Sequence, residues 1–357
     1  MSLRGGKAGM AVNGTAVRAV TEQLPVRGVG QASLLLGVDL GGSHISAALV
    51  DQAGRILQRR KAPTAVEAGP DGIIAGIVEL LREVISVSGV TRRELAGIGL
   101  GIPGLIDSSR GLSIFSPNLF WHNVQVVRPI EREFNLPTFM DNDVRCATLA
   151  EAWYGAGRGV ANLICLTIGT GIGSGLMVDG QLVRGATESA GEIGHMTIEK
   201  DGPRCNCGNH GCLEALAAGP AIARRAREAI EKGVETVMLA MVGGQPDRLD
   251  AAVVTQAARQ GDPVAWEIIE LAALYLGIGI ANYINLVNPE LVIIGGGVAQ
   301  AGELLLAPMR RVVGQRAMKV QAATARVVPA RLGEDAGVIG AAALVLERLG
   351  EAGPSAV

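Results

Sequence analysis

One imidazole and three thiols crowd into eighteen residues: His195, Cys205, Cys207 and Cys212. Together they make a complete tetrahedral ligand set for Zn²⁺ with no open position, which marks a structural site rather than one that activates water. His210 is the alternative nitrogen ligand. The remaining cysteines are Cys146 and Cys165, and an odd total with three so close fits metal binding in a reducing compartment better than a disulfide framework. No His is followed by Glu, which removes zinc-protease chemistry of the His-Glu type. Two carboxylates flank the cluster, Glu192 three residues before His195 and Glu214 two after Cys212. A zinc loop would hold both near one place, where carboxylates accept hydrogen bonds from the paired hydroxyls of a sugar. Solvated surface carboxylates are the plain alternative.

Two glycine loops offer a second chemistry. Asp39-Leu40-Gly41-Gly42-Ser43-His44 sets a carboxylate at a strand end, then two residues without Cβ, then a hydroxyl. Such a turn lets backbone N–H groups approach phosphate oxygens while the carboxylate holds Mg²⁺, directly or through water. An ordinary hairpin turn would use the same residues. Gly169-Thr170-Gly171-Ile172-Gly173 is a loop of the same kind, and two matched loops favour a clamped polyphosphate. The only Gly-Lys pair, Gly6-Lys7, is followed by Ala8, so no Walker A loop exists. Ile294-Gly295-Gly296-Gly297-Val298 resembles a Rossmann turn but has Gln300 where the third glycine is expected, which argues against a nicotinamide site. Gly296 and Gly297 still leave room for a flat purine or its ribose.

Asp141-Asn142-Asp143 lies between a short strand and a helix expected from Val144 to about Tyr154. One acid suffices as a helix N-cap, leaving the other to act as general base on an alcohol attacking phosphorus. Spacing alone leaves open which acid does which.

These residues need a scaffold of a particular kind. A chain of 357 residues is long for one core and right for two lobes. Its formal charge of −2 gives no global pull towards nucleic acid or membranes, and 3% aromatic residues disfavour an oligonucleotide-stacking surface. Gly is the outlier at 50 residues, about twice the usual share, clustered beside apolar runs as tight turns. Leu34–Asp39, Ile45–Val50 and Arg55–Lys61 read as a three-stranded meander, and Leu163–Thr167, Ser174–Val178 and Gln181–Val183 repeat it. Each meander is followed by helices alternating with strands, Ile98–Gly101 and Thr138–Met140 in the first half, Leu291–Ile294 and Ala325–Val328 in the second. The pattern is α/β, two lobes facing each other across a cleft. The uncharged stretch Leu271–Pro289 is long enough to raise the membrane question. Asn282, Asn285 and Asn288 inside it favour a buried helix closed by Pro289. Residues 1–33 carry no signal-peptide core and read as a flexible extension. Residues 34–145 form the expected small lobe and 146–335 the large lobe with its zinc loop 195–214; the helix 336–349 is free to complete either.

With these motifs assembled, the chain resembles the ROK family of sugar kinases and repressors, within the actin, Hsp70 and sugar-kinase (ribonuclease H-like) fold. The resemblance rests on Asp39-Leu40-Gly41-Gly42-Ser43, Gly101-Ile102-Pro103-Gly104, Pro117-Asn118-Leu119, Asn142-Asp143, the 169–173 loop, Glu192-Ile193-Gly194-His195 and the run Cys205 to Glu214. It covers about Leu34 to Leu349. The zinc segment with Glu192 and His195 is the most specific part, whereas glycine loops recur across the wider fold. The resemblance implies ATP-dependent phosphorylation of a hexose 6-hydroxyl, with Asp143 as base and Asn142 as a sugar contact. Asn118, Glu192, His195 and Glu214 are similar to the family's hydroxyl-binding residues, His195 serving both sugar and zinc. Asp39, Gly41, Gly42, Ser43, Thr170, Gly171 and Gly173 look like the phosphate grip. Glucose is the first substrate implied and N-acetylmannosamine or N-acetylglucosamine the second, in a cytoplasmic protein that is often a homodimer in this family. Two departures are mild, Ser43 where Thr is commoner and His44 where Lys is frequent. A sugar-responsive regulator is the different-class alternative, but residues 1–33 are too short and Gly-rich for a winged-helix DNA reader.

Overall fold

The computed structural model describes residues 33–350, so the expected extension lies almost wholly outside the described residues. The first meander is β1 (Leu34–Leu40), β2 (His44–Asp51) and β3 (Ile56–Pro63). Helix α1 (Gly69–Ser88) leads to β4 (Leu95–Ile102), which pairs parallel with β1. A small antiparallel sheet, β5 (Leu105–Asp107), β6 (Leu112–Ser116) and β7 (Trp121–Gln125), precedes α2 (Val127–Phe134) and β8 (Thr138–Asn142). The five main strands lie in the order β3-β2-β1-β4-β8. Helix α3 (Asp143–Tyr154) then leads to the second meander, β9 (Leu163–Ile168), β10 (Ile172–Val178) and β11 (Gln181–Leu182).

After the cysteine loop come α4 (Leu213–Ala217), α5 (Gly219–Glu231), α6 (Met238–Met241), α7 (Ala251–Arg259) and α8 (Pro263–Val287). They are followed by β12 (Leu291–Gly295), α9 (Glu303–Arg316), α10 (Lys319–Thr324), β13 (Arg326–Pro329) and α11 (Ala336–Leu349). The second sheet has the order β11-β10-β9-β12-β13. Each sheet is thus an antiparallel meander extended by two parallel strands, the repeat expected from the sequence. The central parallel strands β4 and β12 are apolar along their length and almost wholly buried. The β5–β7 sheet is not expected from the sequence, since its strands are only three to five residues long.

Helix α8 begins with Asp262 as N-cap, its side chain accepting from Ala265 N, and ends at Asn288 with φ 53°. It passes the length and hydropathy test for a membrane span, yet it packs against α9, α7, α4 and α5 as the core helix of the large lobe. Helix α11 settles on the small lobe, against α3, β1 and β4. The approach is close because strand glycines face the helix: a Cβ on Gly37 would collide with the Val338 carbonyl, and one on Gly99 with the Ala341 carbonyl. The division expected at 145/146 falls inside α3, which packs on both sheets.

Gly99→Ala should therefore destabilise the fold by about 3 kcal/mol or more, because a rigid helix backbone cannot yield as a side chain does. Urea unfolding checks this; a loss below about 1 kcal/mol would mean that α11 can shift freely.

Candidate active site

Three consecutive residues at the end of β8 take three different roles. Asp141 has no exposed surface, and its carboxylate is held by Arg145 Nε at 2.5 Å and Arg184 Nε at 2.8 Å, with Arg348 Nη2 at 3.6 Å. The α3 N-cap is Asn142, whose Oδ1 accepts from Val144 N at 3.0 Å and Arg145 N at 3.2 Å. Neither acid is the cap, which corrects the expectation from sequence: an amide cap does that work, and the deep acid is consumed by arginines. Asp143, the first residue of α3, accepts from Val144 N at 2.9 Å and has no ion pair among the described residues. Burial pushes its carboxyl above the usual 3.8 and Glu192 adds to this, while the Val144 N–H and Arg145 pull the other way.

Asp39 is the penultimate residue of β1 and lies near Asp143. Burial, with repulsion from Asp143, raises its pKa from 3.8 to about 6, and Lys61 only partly offsets this. Gly337 at the start of α11 leaves the space that the Asp39 carboxylate fills. Gly41, Gly42 and Ser43 form the exposed β1–β2 turn, closed by Gly41 N donating to His44 O. A Cβ on Gly42 would touch Asn118 at 3.4 Å, so the expected phosphate turn and sugar asparagine are neighbours. Asn118 itself sits in a one-turn helix at Pro117–Leu119, and Asn142 Nδ2 donates to Gly104 O at 3.2 Å.

On the large-lobe side, the 169–173 loop abuts α3, since a Cβ on Gly173 would lie 2.7 Å from Val144 Cγ2. Strand β10 starts at Ile172, inside the expected loop, and Thr170 is exposed. Glu214 has one oxygen committed: Oε2 accepts from Ile172 N at 3.0 Å, and a Cβ on Gly171 would collide with it. Its other oxygen lies 3.7 Å from Cys205 Sγ. Glu214 thus joins the cysteine loop to the glycine loop. Glu192 and His195 are adjacent, Oε2 to Nε2 at 4.0 Å.

His195, Cys205, Cys207 and Cys212 place their ligand atoms within 4.8 Å of one another. The Cys207–Cys212 sulfurs are 3.7 Å apart, close to the tetrahedral edge of about 3.8 Å that Zn–S bonds of about 2.3 Å require. His195 turns Nδ1 towards Cys205 at 3.7 Å, leaving Nε2 for the Glu192 side. His210 is exposed and outside this cluster. The donor set fits Zn²⁺.

Gly296 (φ 87°) packs on Ile168, and Gly297 lines a cavity of about 370 Å³ with Thr255, Gln256, Arg259 and Gln300. Arg259 is fixed by donating to Gln300 O at 2.6 Å. Sequence reading found only the glycines here, because single polar residues on an amphipathic helix carry no spacing signal. It likewise missed Arg145 and Arg184, which announce themselves only through their partner Asp141.

Fold and site have the arrangement of the two-lobed sugar-kinase class. The ROK family model matches residues 35–348, and the chain belongs to the ROK family. It is 41% identical to a glucokinase of Thermotoga maritima over 88% of this chain and 98% of that one. A ROK glucokinase from Streptomyces griseus, solved with glucose and AMPPNP, superposes with a TM-score of 0.76 at 34% identity, covering 87% of this chain and 98% of its own. A ROK transcriptional regulator, a homologue of the E. coli MLC protein, gives a TM-score of 0.80 at 30% identity, covering 88% of this chain and 78% of its own.

Two outcomes test the site. A raised Asp39 pKa means that stability is present below pH 3.8 and is lost as pH rises through about 6. Asp39→Asn should therefore stabilise the ligand-free protein at pH 7, by up to about 3 kcal/mol, and not at pH 3. Equal unfolding midpoints at pH 7 would refute the repulsion. Cys207→Ser should lose zinc by elemental analysis and weaken sugar binding about tenfold or more. Zinc-free protein with unaltered sugar affinity would separate the loop from the site.

Proposed function

We propose that this protein transfers the γ-phosphoryl group of ATP to the 6-hydroxyl of a hexose, with glucose as the first candidate. The observation that carries the reading is Asp143, a carboxylate at a helix start, without a cation partner, between the Asp39 turn and Glu192. In this reading the 6-hydroxyl gives its proton to Asp143 as its oxygen attacks phosphorus. Burial raises the pKa of Asp143, which brings the base closer to the working range of proton transfer. Asn118, Asn142, Glu192 and His195 Nε2 hold the remaining hydroxyls, and Glu214 acts by fixing the 169–173 loop. Gly41 to Ser43 and Thr170 to Gly173 supply phosphate contacts from the two lobes, and the purine enters the cavity beside Gly297.

Asp39 would hold Mg²⁺, which would supply charge neutralisation for the transferring phosphoryl group. The rest of the rate enhancement comes from in-line placement, because a loose transition state offers little covalent chemistry to assist. His195, Cys205, Cys207 and Cys212 would hold zinc, which would stiffen the segment between Glu192 and Glu214. The free cysteines agree with a cytoplasmic setting. The same reading extends to a homodimer.

N-acetylmannosamine and N-acetylglucosamine are the next substrates, since accepting a 2-acetamido group depends on room near Glu192 and His195. The similarity to the ROK regulator supports sugar binding as readily as it supports regulation. Asp143 favours the kinase, because binding alone needs no base.

A panel of glucose, mannose, N-acetylglucosamine and N-acetylmannosamine with ATP and Mg²⁺ tests this. Glucose should turn over fastest, and Asp143→Asn should lower kcat by about a thousandfold while sugar affinity changes only a few fold. Sugar binding without turnover on the whole panel would favour the regulator.

A further inference from the structure

Glu151 lies in the last turn of α3 with 1% of its surface exposed, and five backbone N–H groups converge on it. Its Oε1 accepts from Arg331 N at 2.9 Å and Leu332 N at 2.7 Å. Oε2 accepts from Ala156 N at 2.8 Å, and the main-chain oxygen accepts from Gly155 N at 3.1 Å and Gly157 N at 2.8 Å. Residues 155–162 carry the chain from α3 to β9, and residues 330–335 carry it back from β13 to α11. These are the two crossings between the sheets, and one side chain holds both.

The chemistry suits a carboxylate and nothing else of that size. Both oxygens act as acceptors, whereas the isosteric amide would set a donor against a donor on one side. The buried charge is compensated by N–H dipoles of loop backbone. Gly155 has no Cβ where one would collide with Oε2. Glu151 and Asp143 occupy the same helix eight residues apart, about 12 Å along its axis. Pinning one end of α3 at the crossings therefore sets the line along which the other end points into the cleft.

We propose that Glu151 is a positioning residue for phosphoryl transfer: its carboxylate clamps both crossings and fixes the axis about which the lobes close. The role rests on the kinase reading, since alignment between the lobes matters most where catalysis is mainly placement. Glu151 touches no substrate and acts through α3.

The test uses the full chain with glucose, ATP and Mg²⁺, and two variants that disturb the same carboxylate by different means. Glu151→Gln mismatches one contact, and Gly155→Ala displaces Oε2. Both should lower kcat by about 10- to 100-fold while the KM values for glucose and ATP change by less than about threefold. Hydrogen exchange should quicken at the amides of 156, 331 and 332 and stay unchanged in α8. Unaltered kcat in both variants, or equal losses in kcat, both KM values and α8 protection, would overturn the clamp. If Glu151→Gln does not fold, Gly155→Ala decides alone. If wild-type protein phosphorylates no hexose, the kinase reading fails by itself, and local exchange still judges whether the clamp holds both crossings.

Discussion

A carboxylate sealed from water at the end of a sheet strand must be neutralised, and Asp141 recruits its cations from three directions. Arg145 comes from the helix that follows, Arg184 from the loop after β11, and Arg348 from the C-terminal helix. Arg184 is shared with Glu347 through two bonds of 2.9 and 3.0 Å, and Arg145 Nη1 donates to Glu188 O at 2.6 Å. Removing Asp141 would leave Arg145 as a buried cation without its carboxylate, costing about 3–5 kcal/mol. The cluster therefore ties the loop leading to Glu192 and the last helix to the root of α3. With Asp141 committed and Asn142 capping, Asp143 alone is left for chemistry.

Much of this was legible in advance. The paired meanders declare themselves through apolar runs separated by glycine turns, and the cysteine cluster through spacing alone. Asp39, Asn118, Glu192 and His195 are candidates from sequence because each sits in a short motif, and the fold brings Asn118 beside the Asp39 turn and Glu192 beside His195. The roles within Asp141-Asn142-Asp143 could not, since they depend on arginines up to two hundred residues distant. Glu214 was read as a sugar contact; the fold gives one of its oxygens to Ile172 N. The β5–β7 sheet escaped notice because three- to five-residue strands have too little periodicity to distinguish from loops.

Glycine does different work in the two halves of the molecule. In β1 and β4 it admits the α11 backbone against the sheet, a packing demand. At Gly171 and Gly173 it makes room for Glu214 and Val144, so the loop conformation is set by neighbours from the cysteine loop and from α3. An alanine in either setting is the same chemical change with different results, a lost fold in one and a displaced 169–173 loop in the other.

The orientation of His195 bears on which sugar atoms can be read. An imidazole bound through Nδ1 has a single neutral tautomer, with its hydrogen on Nε2, so towards the cleft it is a donor only. It can greet a lone pair and cannot greet a hydroxyl hydrogen, whereas Glu192 beside it does the reverse. On the proposed reading as a sugar kinase, the pair would form a two-letter polarity code for adjacent hydroxyls. A ring free of metal would interconvert between both forms, and the code would lose its direction.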